Sequence, residues 1–357
     1  MDVTTKYSML VAVAFAVSLL GSPAVAGDGG QEFGADALIP KMSSGQAYSE
    51  RYSFAANLDG GGHIGMNFTI SNLGIRNGYG AAEVRVELPD FDDYSSSERV
   101  SRGNWSYDED NFGLDISGAS VEYKGDGTFR LEYDGDGVHV RLLFENKTPM
   151  WQPASGKIEN GDDYYDFRLV SPRADVRGHV HVDGDWHEVK GYRTGYADHV
   201  ATNVAPYDLA SRFTRFRSSG DDLFVMWREV NLSDDFGGDS VSWVVVGIDD
   251  EIVYEDSNPV IRFGNVKRDE ETGYQVPHAI QVRSTEGSSE FMWMLRKDEI
   301  KKRDLLEGQG RMVRMIASTV TEPYQFNIEG DYVLQIEVDG EEYRTTDASH
   351  VTIDYVN

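Results

Sequence analysis

Apolar and polar residues alternate with a period of two along most of the chain. Thr128-Phe129-Arg130-Leu131-Glu132-Tyr133 alternates throughout, and Val138-His139-Val140-Arg141-Leu142 resumes the rhythm after Asp134-Gly135-Asp136-Gly137. A period of two puts the apolar residues on one face of a strand, and Asp and Gly tolerate the positive φ of a tight turn, so this stretch is a β-hairpin with one buried face. Lys124-Gly125-Asp126-Gly127 is a similar turn after Ser120-Val121-Glu122-Tyr123, and Asp183-Gly184-Asp185 joins residues 176–182 to residues 186–189. Further short strands are predicted at residues 223–230, 241–248, 251–255, 260–263, 278–282, 291–296, 312–319, 332–338, 342–345 and 351–355. Only residues 297–306 read as briefly helical. Gly60-Gly61-Gly62 leads into His63-Ile64-Gly65-Met66, which is no helix, so it is a hairpin turn rather than a phosphate cradle. The strand rhythm breaks over residues 191–206, the best domain boundary. Many short strands with such turns specify an all-β protein of barrels or sandwiches.

Composition narrows the partners. The 357 residues are 40% hydrophobic and 11% aromatic, enough for packed cores and, by length, for about two domains. Acidic residues outnumber basic ones 61 to 33, a net charge of −28, and that field repels phosphate backbones, so no nucleic-acid partner is expected. The acidic surface serves solubility. With no cysteine there is no disulfide, thiolate nucleophile or cysteine-ligated metal.

The N-terminus reads as an address. Met9 to Leu20 are apolar except for Ser18, and Ala24-Val25-Ala26 offers the small residues that a signal peptidase prefers. The run falls short of the roughly 20 residues of a comfortable span, and no later run is long enough, so no integral membrane span is expected after cleavage at Ala26. Residues 1–26 are therefore predicted to be a signal peptide and residues 27–48 a flexible N-terminal segment, in a protein of the bacterial periplasm or exterior.

Candidate chemistry is sparse, and no nucleotide, hydrolase or zincin motif is present. Asp108-Glu109-Asp110, Asp115, Asp134 and Asp136 are hard oxygen ligands, but without EF-hand spacing they are better read as residues that close their own turns. His179 and His181 share a strand face, with His187 across the turn, which suits a solvated hairpin tip better than a zinc site. No metal or cofactor is called for. The most unusual segment is residues 191–216, which places Tyr192, Tyr196, Asp198 and His199 beside Arg193, Arg212 and Arg215 in a base-poor chain. An Asp beside a His can orient and charge the imidazole. Neighbours on a strand face opposite sides, so the two need not act on one ligand.

The run Trp186-His187-Glu188-Val189-Lys190-Gly191-Tyr192, followed by Gly195-Tyr196-Ala197-Asp198-His199, resembles a G-Y-x-D-H-type motif of the tandem-lipocalin superfamily. That superfamily includes survival-factor, AttH-like and carotenoid 1,2-hydratase proteins, with some Diels–Alderases of similar build. Ser71-Asn72-Leu73-Gly74, Tyr165-Asp166-Phe167 and Pro172 are similarly placed, so the resemblance runs from Ser49 to the C-terminus. It implies two consecutive lipocalin-like antiparallel β-barrels or strongly curved sheets packed together, at residues 49–202 and 203–357. It also implies a hydrophobic or amphipathic small molecule, of lipid or polyene class, in a barrel cavity near the junction. Trp186, Tyr192, Arg212, Arg215 and Trp227 are the candidate ligand contacts.

An alternative is a cofactor-independent hydratase, isomerase or cyclase with Asp198 as acid and His199 and Tyr196 as its helpers. The hydratases carry a Trp two positions after the motif His; Ala201 stands there, which removes an aromatic wall and argues against polyene hydration. A carbohydrate-active β-sandwich, with Trp and Tyr stacking on sugars, is the third reading.

Overall fold

The computed structural model describes residues 29–356, apart from 74–77, 136, 221, 287–288, 307–322 and 339. The candidate signal peptide, Asp136 and the predicted strand at 312–319 lie outside the described residues.

Two antiparallel sheets follow one another along the chain. The first contains β1 (Ser49–Asn57), β2 (His63–Ser71), β3 (Tyr79–Glu87), β4 (Tyr94–Val100), β5 (Trp105–Tyr107), β6 (Gly113–Ile116), β7 (Ala119–Gly125), β8 (Thr128–Gly135), β9 (Val138–Asn146), β10 (Asp163–Val182) and β11 (Asp185–Thr202). Their order is β4-β3-β2-β1-β11-β10-β9-β8-β7-β6-β5, so the two edge strands are neighbours in sequence, and the sheet curls into a nearly closed barrel. Trp105 lies at that seam: its indole donates to the Gly78 carbonyl at 3.0 Å. A Cβ on Gly80 would meet the same ring at 2.8 Å, so only glycine lets the edge strand β5 approach β3 this closely.

The second sheet contains β12 (Ala210–Ser219), β13 (Leu223–Leu232), β14 (Ser240–Ile248), β15 (Glu251–Asp256), β16 (Val260–Gly264), β17 (Ala279–Glu286), β18 (Ser289–Asp304), β19 (Tyr324–Val338) and β20 (Glu341–Tyr355). They run in the order β15-β14-β13-β12-β20-β19-β18-β17-β16 as a half-barrel. The all-β architecture of two successive lipocalin-like sheets is therefore as expected. Two local expectations are corrected. Residues 297–304 continue β18 instead of forming a helix, because β19 supplies register partners to all of them but Asp298, where the ladder shifts. Residues 191–202 belong to a strand and not to a connection: they lie in β11, paired with β10 and, from Gly195 on, with β1, although the ladder is interrupted at residues 192–194, where Arg193 has a φ of 55°.

Three apolar cores result. One fills the first barrel, around Phe54, Phe68, Phe129 and Phe144. One lies inside the second sheet, around Phe216, Trp227, Trp293 and Leu334. The third joins the sheets: Tyr165, Phe167 and Leu169 of β10 meet Phe213, Phe224, Met226 and Trp243, with Phe167 stacked on Trp243 at 5.3 Å. β10 can serve two cores because both of its faces are covered, and its long run of buried residues reads accordingly. Polar staples reinforce the joint. The fully buried Arg173 donates to the Gly220 and Asp249 carbonyls. The Glu255 carboxylate accepts from Trp151 Nε1 at 2.8 Å, the Ala154 amide at 2.9 Å and the Gly30 amide at 3.1 Å.

The N-terminal stretch, where described, is tied to the first barrel at a few points, with Gln31 and Glu32 paired to Gln152 and Trp151 while most of its side chains are exposed or half-buried. Residues 29–48 cross one end of the first barrel as a strap, with Leu38 and Tyr48 fully buried.

Candidate functional site

The motif strand β11 divides its chemistry between two faces. Tyr196 and Asp198 point toward the second sheet, and Tyr196 Oη donates to Asp198 Oδ2 at 2.8 Å. Across the seam, β12 alternates Phe213, Arg215 and Arg217. The Arg217 guanidinium lies 4.1 Å over the Tyr196 ring, and Arg215 pairs with Asp354. Arg228 stacks against Phe167 at 4.4 Å and adjoins Tyr165, so cations and aromatic rings alternate along the joint. Burial, then the charge of Asp198, pushes the Tyr196 hydroxyl well above its usual pKa, which keeps it a neutral donor. Side by side, then, the seam holds a hydroxyl–carboxylate pair, guanidinium groups and the apolar third core.

His199 faces the other way, into the first barrel. It is 2% exposed, stacks on Tyr52 at 4.3 Å and sits with Nε2 3.2 Å from Glu50 Oε2. Glu50 is equally buried and accepts from Tyr52 Oη at 2.6 Å, the Lys41 amide at 2.8 Å and Tyr48 Oη at 2.9 Å. Burial raises the Glu50 carboxyl, but His199, Tyr52 and the Lys41 amide outweigh it and hold the pKa below the usual glutamate range. His199 Nδ1 is buried with no hydrogen-bond partner among the described residues. The Asp198–His199 combination expected for catalysis is therefore not assembled at one place: the strand pleat sends the two side chains to opposite sides. Glu50 is the residue that sequence reasoning missed. Its signal was a charge in register with Tyr48, Tyr52 and Phe54 on the apolar face of an alternating strand.

The remaining candidates scatter. Trp186 and Tyr192 are about half exposed, Trp186 among His139, His181 and Arg141 on the outside of the first barrel. His187 does not join His179 and His181; it pairs with Val180 in register, turns to the opposite face and packs on Phe91 at 4.6 Å. There it borders a cleft of about 370 Å³ lined by Leu58, Leu88, Pro89 and Val189. Arg212 is bound to Glu229 at 2.9 Å inside the second sheet, and Trp227 is wholly buried in that core against Phe216 and Trp293. Only Tyr196, Asp198 and Arg215 lie together along the seam. Asp108, considered for calcium, accepts the Asp110 and Asn111 amides of its own turn.

Two successive curled antiparallel sheets, joined through a shared core and a polar seam, define a tandem lipocalin-like protein. The Svf1 family model matches residues 162–352, more than half of the chain, and the chain belongs to the Svf1 family. The match begins at β10, the strand that serves both sheets. A ceramide-binding SVF1 protein of Yarrowia lipolytica is 23% identical over 188 residues, 48% of this chain and 47% of that protein. The matched stretch thus spans about half the length of that relative. Solved structures share the fold at low identity. CghA bound to Sch210972 has a TM-score of 0.58 at 12% identity, covering 87% of this chain and 89% of its own. Kievitone hydratase from Nectria haematococca gives 0.53 at 12%, over 90% and 92%. An AttH-type protein of Nitrosomonas europaea gives 0.51 at 13%, over 87% and 92%.

Proposed function

We propose that this chain binds an amphipathic lipid of the ceramide class at the seam between its two sheets. The observation that carries the reading is the Tyr196–Asp198 pair facing Arg217 beside an apolar core. A ceramide offers hydroxyl and amide groups to such a polar set and chains to the apolar wall, a division common to small-molecule sites. The ceramide-binding relative supports the ligand class. The separation of Asp198 from His199 takes one of two helpers from the lyase reading, while Tyr196 stays beside the acid. Export rests on the apolar run from Met9 to Leu20, and N-terminal sequencing of the protein from culture fractions checks it.

The test is transfer of a fluorescent ceramide from vesicles to the purified protein, with native mass spectrometry of the product. Asp198→Asn and Tyr196→Phe are expected to weaken retention at least tenfold, about 1.4 kcal/mol, without lowering the melting temperature appreciably. Unchanged retention in both variants rules out the seam as the site. Absence of any lipid adduct in the wild type rules out the function.

A further inference from the structure

The polar cluster at the end of the first barrel is better furnished than an anchor needs to be. A barrel end can be closed with apolar side chains alone. Here a carboxylate, two tyrosine hydroxyls and an imidazole are withdrawn from water instead, each at a desolvation cost. Glu50, Tyr48, Tyr52 and His199 are all at most 2% exposed. What closes the end is the strap. Leu38 puts its side chain into the core, its carbonyl accepts from Tyr52 Oη at 2.7 Å, and the Lys41 amide donates to Glu50 Oε1 at 2.8 Å. The Tyr52 hydroxyl has one proton and two acceptors, Leu38 O and Glu50 Oε2, so neither is served fully. His199 Nδ1, on the far side of the same ring, is offered nothing among the described residues.

Taken as a chemical group, the strap presents an apolar branch, one carbonyl acceptor and one amide N–H donor. Those are the features of a secondary amide with a hydrocarbon tail. It leaves unfilled one polar position, which a hydroxyl would fill as donor or acceptor according to the imidazole tautomer. We infer that Glu50, Tyr52 and His199 form a second binding site, for the head of a hydroxylated secondary amide with an apolar chain, and that residues 38–41 occupy it as an internal stand-in. Binding there requires the strap to leave, so the chain's own segment competes with the ligand. The ligand class rests on the proposed lipid role; the site is separate from the seam, because His199 and Asp198 face opposite sides of β11.

Residues 38–41 themselves are tied to the barrel by the two bonds above. The flanks are anchored separately: Gln31 and Glu32 pair with Gln152 and Trp151, Gly30 donates to Glu255, Phe33 to the Met150 carbonyl at 3.3 Å, Arg168 reaches the Ala37 carbonyl, and Asn72 Nδ2 donates to the Ser43 and Gly45 carbonyls at 2.8 Å. Lys41→Pro removes the donated N–H while the exposed lysine side chain has no part in the cluster, and Leu38→Ala shrinks the plug. The full-length Lys41→Pro/Leu38→Ala chain is titrated with a fluorescent short-chain ceramide and with the fatty acid carrying the same fluorophore. The expected result is a gain of tenfold or more for the ceramide over wild type, with no matching gain for the acid. Adding His199→Ala or Glu50→Gln cancels the gain.

An equal gain for both probes, no gain, or a gain that survives His199→Ala overturns the inference. Loss of wild-type ceramide retention in Asp198→Asn together with no gain on strap release leaves the seam standing and this site refuted. If the released chain does not fold, hydrogen exchange on the wild type decides. Saturating ceramide speeds exchange of the Lys41 amide if the strap is displaced, and unchanged protection overturns the inference.

Discussion

Glu50 shows how a single residue links sequence, stability and pH. Its carboxyl is held below the ordinary glutamate range because hydrogen bonds from His199, Tyr52 and the Lys41 amide outweigh burial. A folded-state pKa below the unfolded one adds stability at pH values above the unfolded value, about 4.3, and loses it as pH falls through the lowered folded value. The residues facing the carboxylate are Tyr48 and Tyr52 on its own side, the strap amide, and His199 from β11. Glu50→Gln is expected to cost about 3 kcal/mol near neutral pH, the penalty of breaking a buried pair, and to flatten the fall in melting temperature between about pH 5 and pH 3. Urea unfolding across that range checks both. At this scale the alternation showed that the position is inward-facing, but His199 is 149 residues away, and nothing local announces it.

At the scale of elements, the strands were largely legible because their signal is local: side chains alternate and glycine turns punctuate. Residues 297–304 misled because charged residues there dilute the alternation. Pairing with β19, whose own alternation is clean, overrides that weak preference. The length of β11 was hidden for a related reason. Its tyrosines, arginine, Asp198 and His199 look like a loop until both neighbours are in place. Barrel closure depends on one small residue, Gly80 under Trp105. Gly80→Val is expected to open that seam at a cost of about 1–3 kcal/mol, since the indole cannot move without leaving the Gly78 carbonyl. A red shift in tryptophan fluorescence with a lower unfolding midpoint is the expected signature.

The molecule as a whole behaves as two sheets fastened at a joint. Arg173 is the buried bolt: it leaves the first sheet and donates to carbonyls flanking β13 and following β14. Charge-assisted hydrogen bonds of this kind contribute about 1.5–3 kcal/mol each. Arg173→Met keeps the apolar stem and removes those bonds, so it is expected to cost about 3 kcal/mol and to split one calorimetric transition into two. A single transition at the wild-type temperature would show that the apolar core around Phe167 and Trp243 suffices to couple the sheets.

Strand period, turn chemistry and acidic charge are properties of neighbouring residues, so the all-β class, most hairpins and the motif of residues 195–199 could be read from the chain. Tertiary structure settled what depends on distant partners. It sent Asp198 to the seam and His199 into the barrel, turned Trp227 into core and left Trp186 outside. It also brought residues 38–41 against Glu50 and Tyr52, the two residues that meet the histidine of the motif. The reason is physical: a pleat determines that adjacent side chains diverge, but what each one meets is decided by strands and segments far away in sequence.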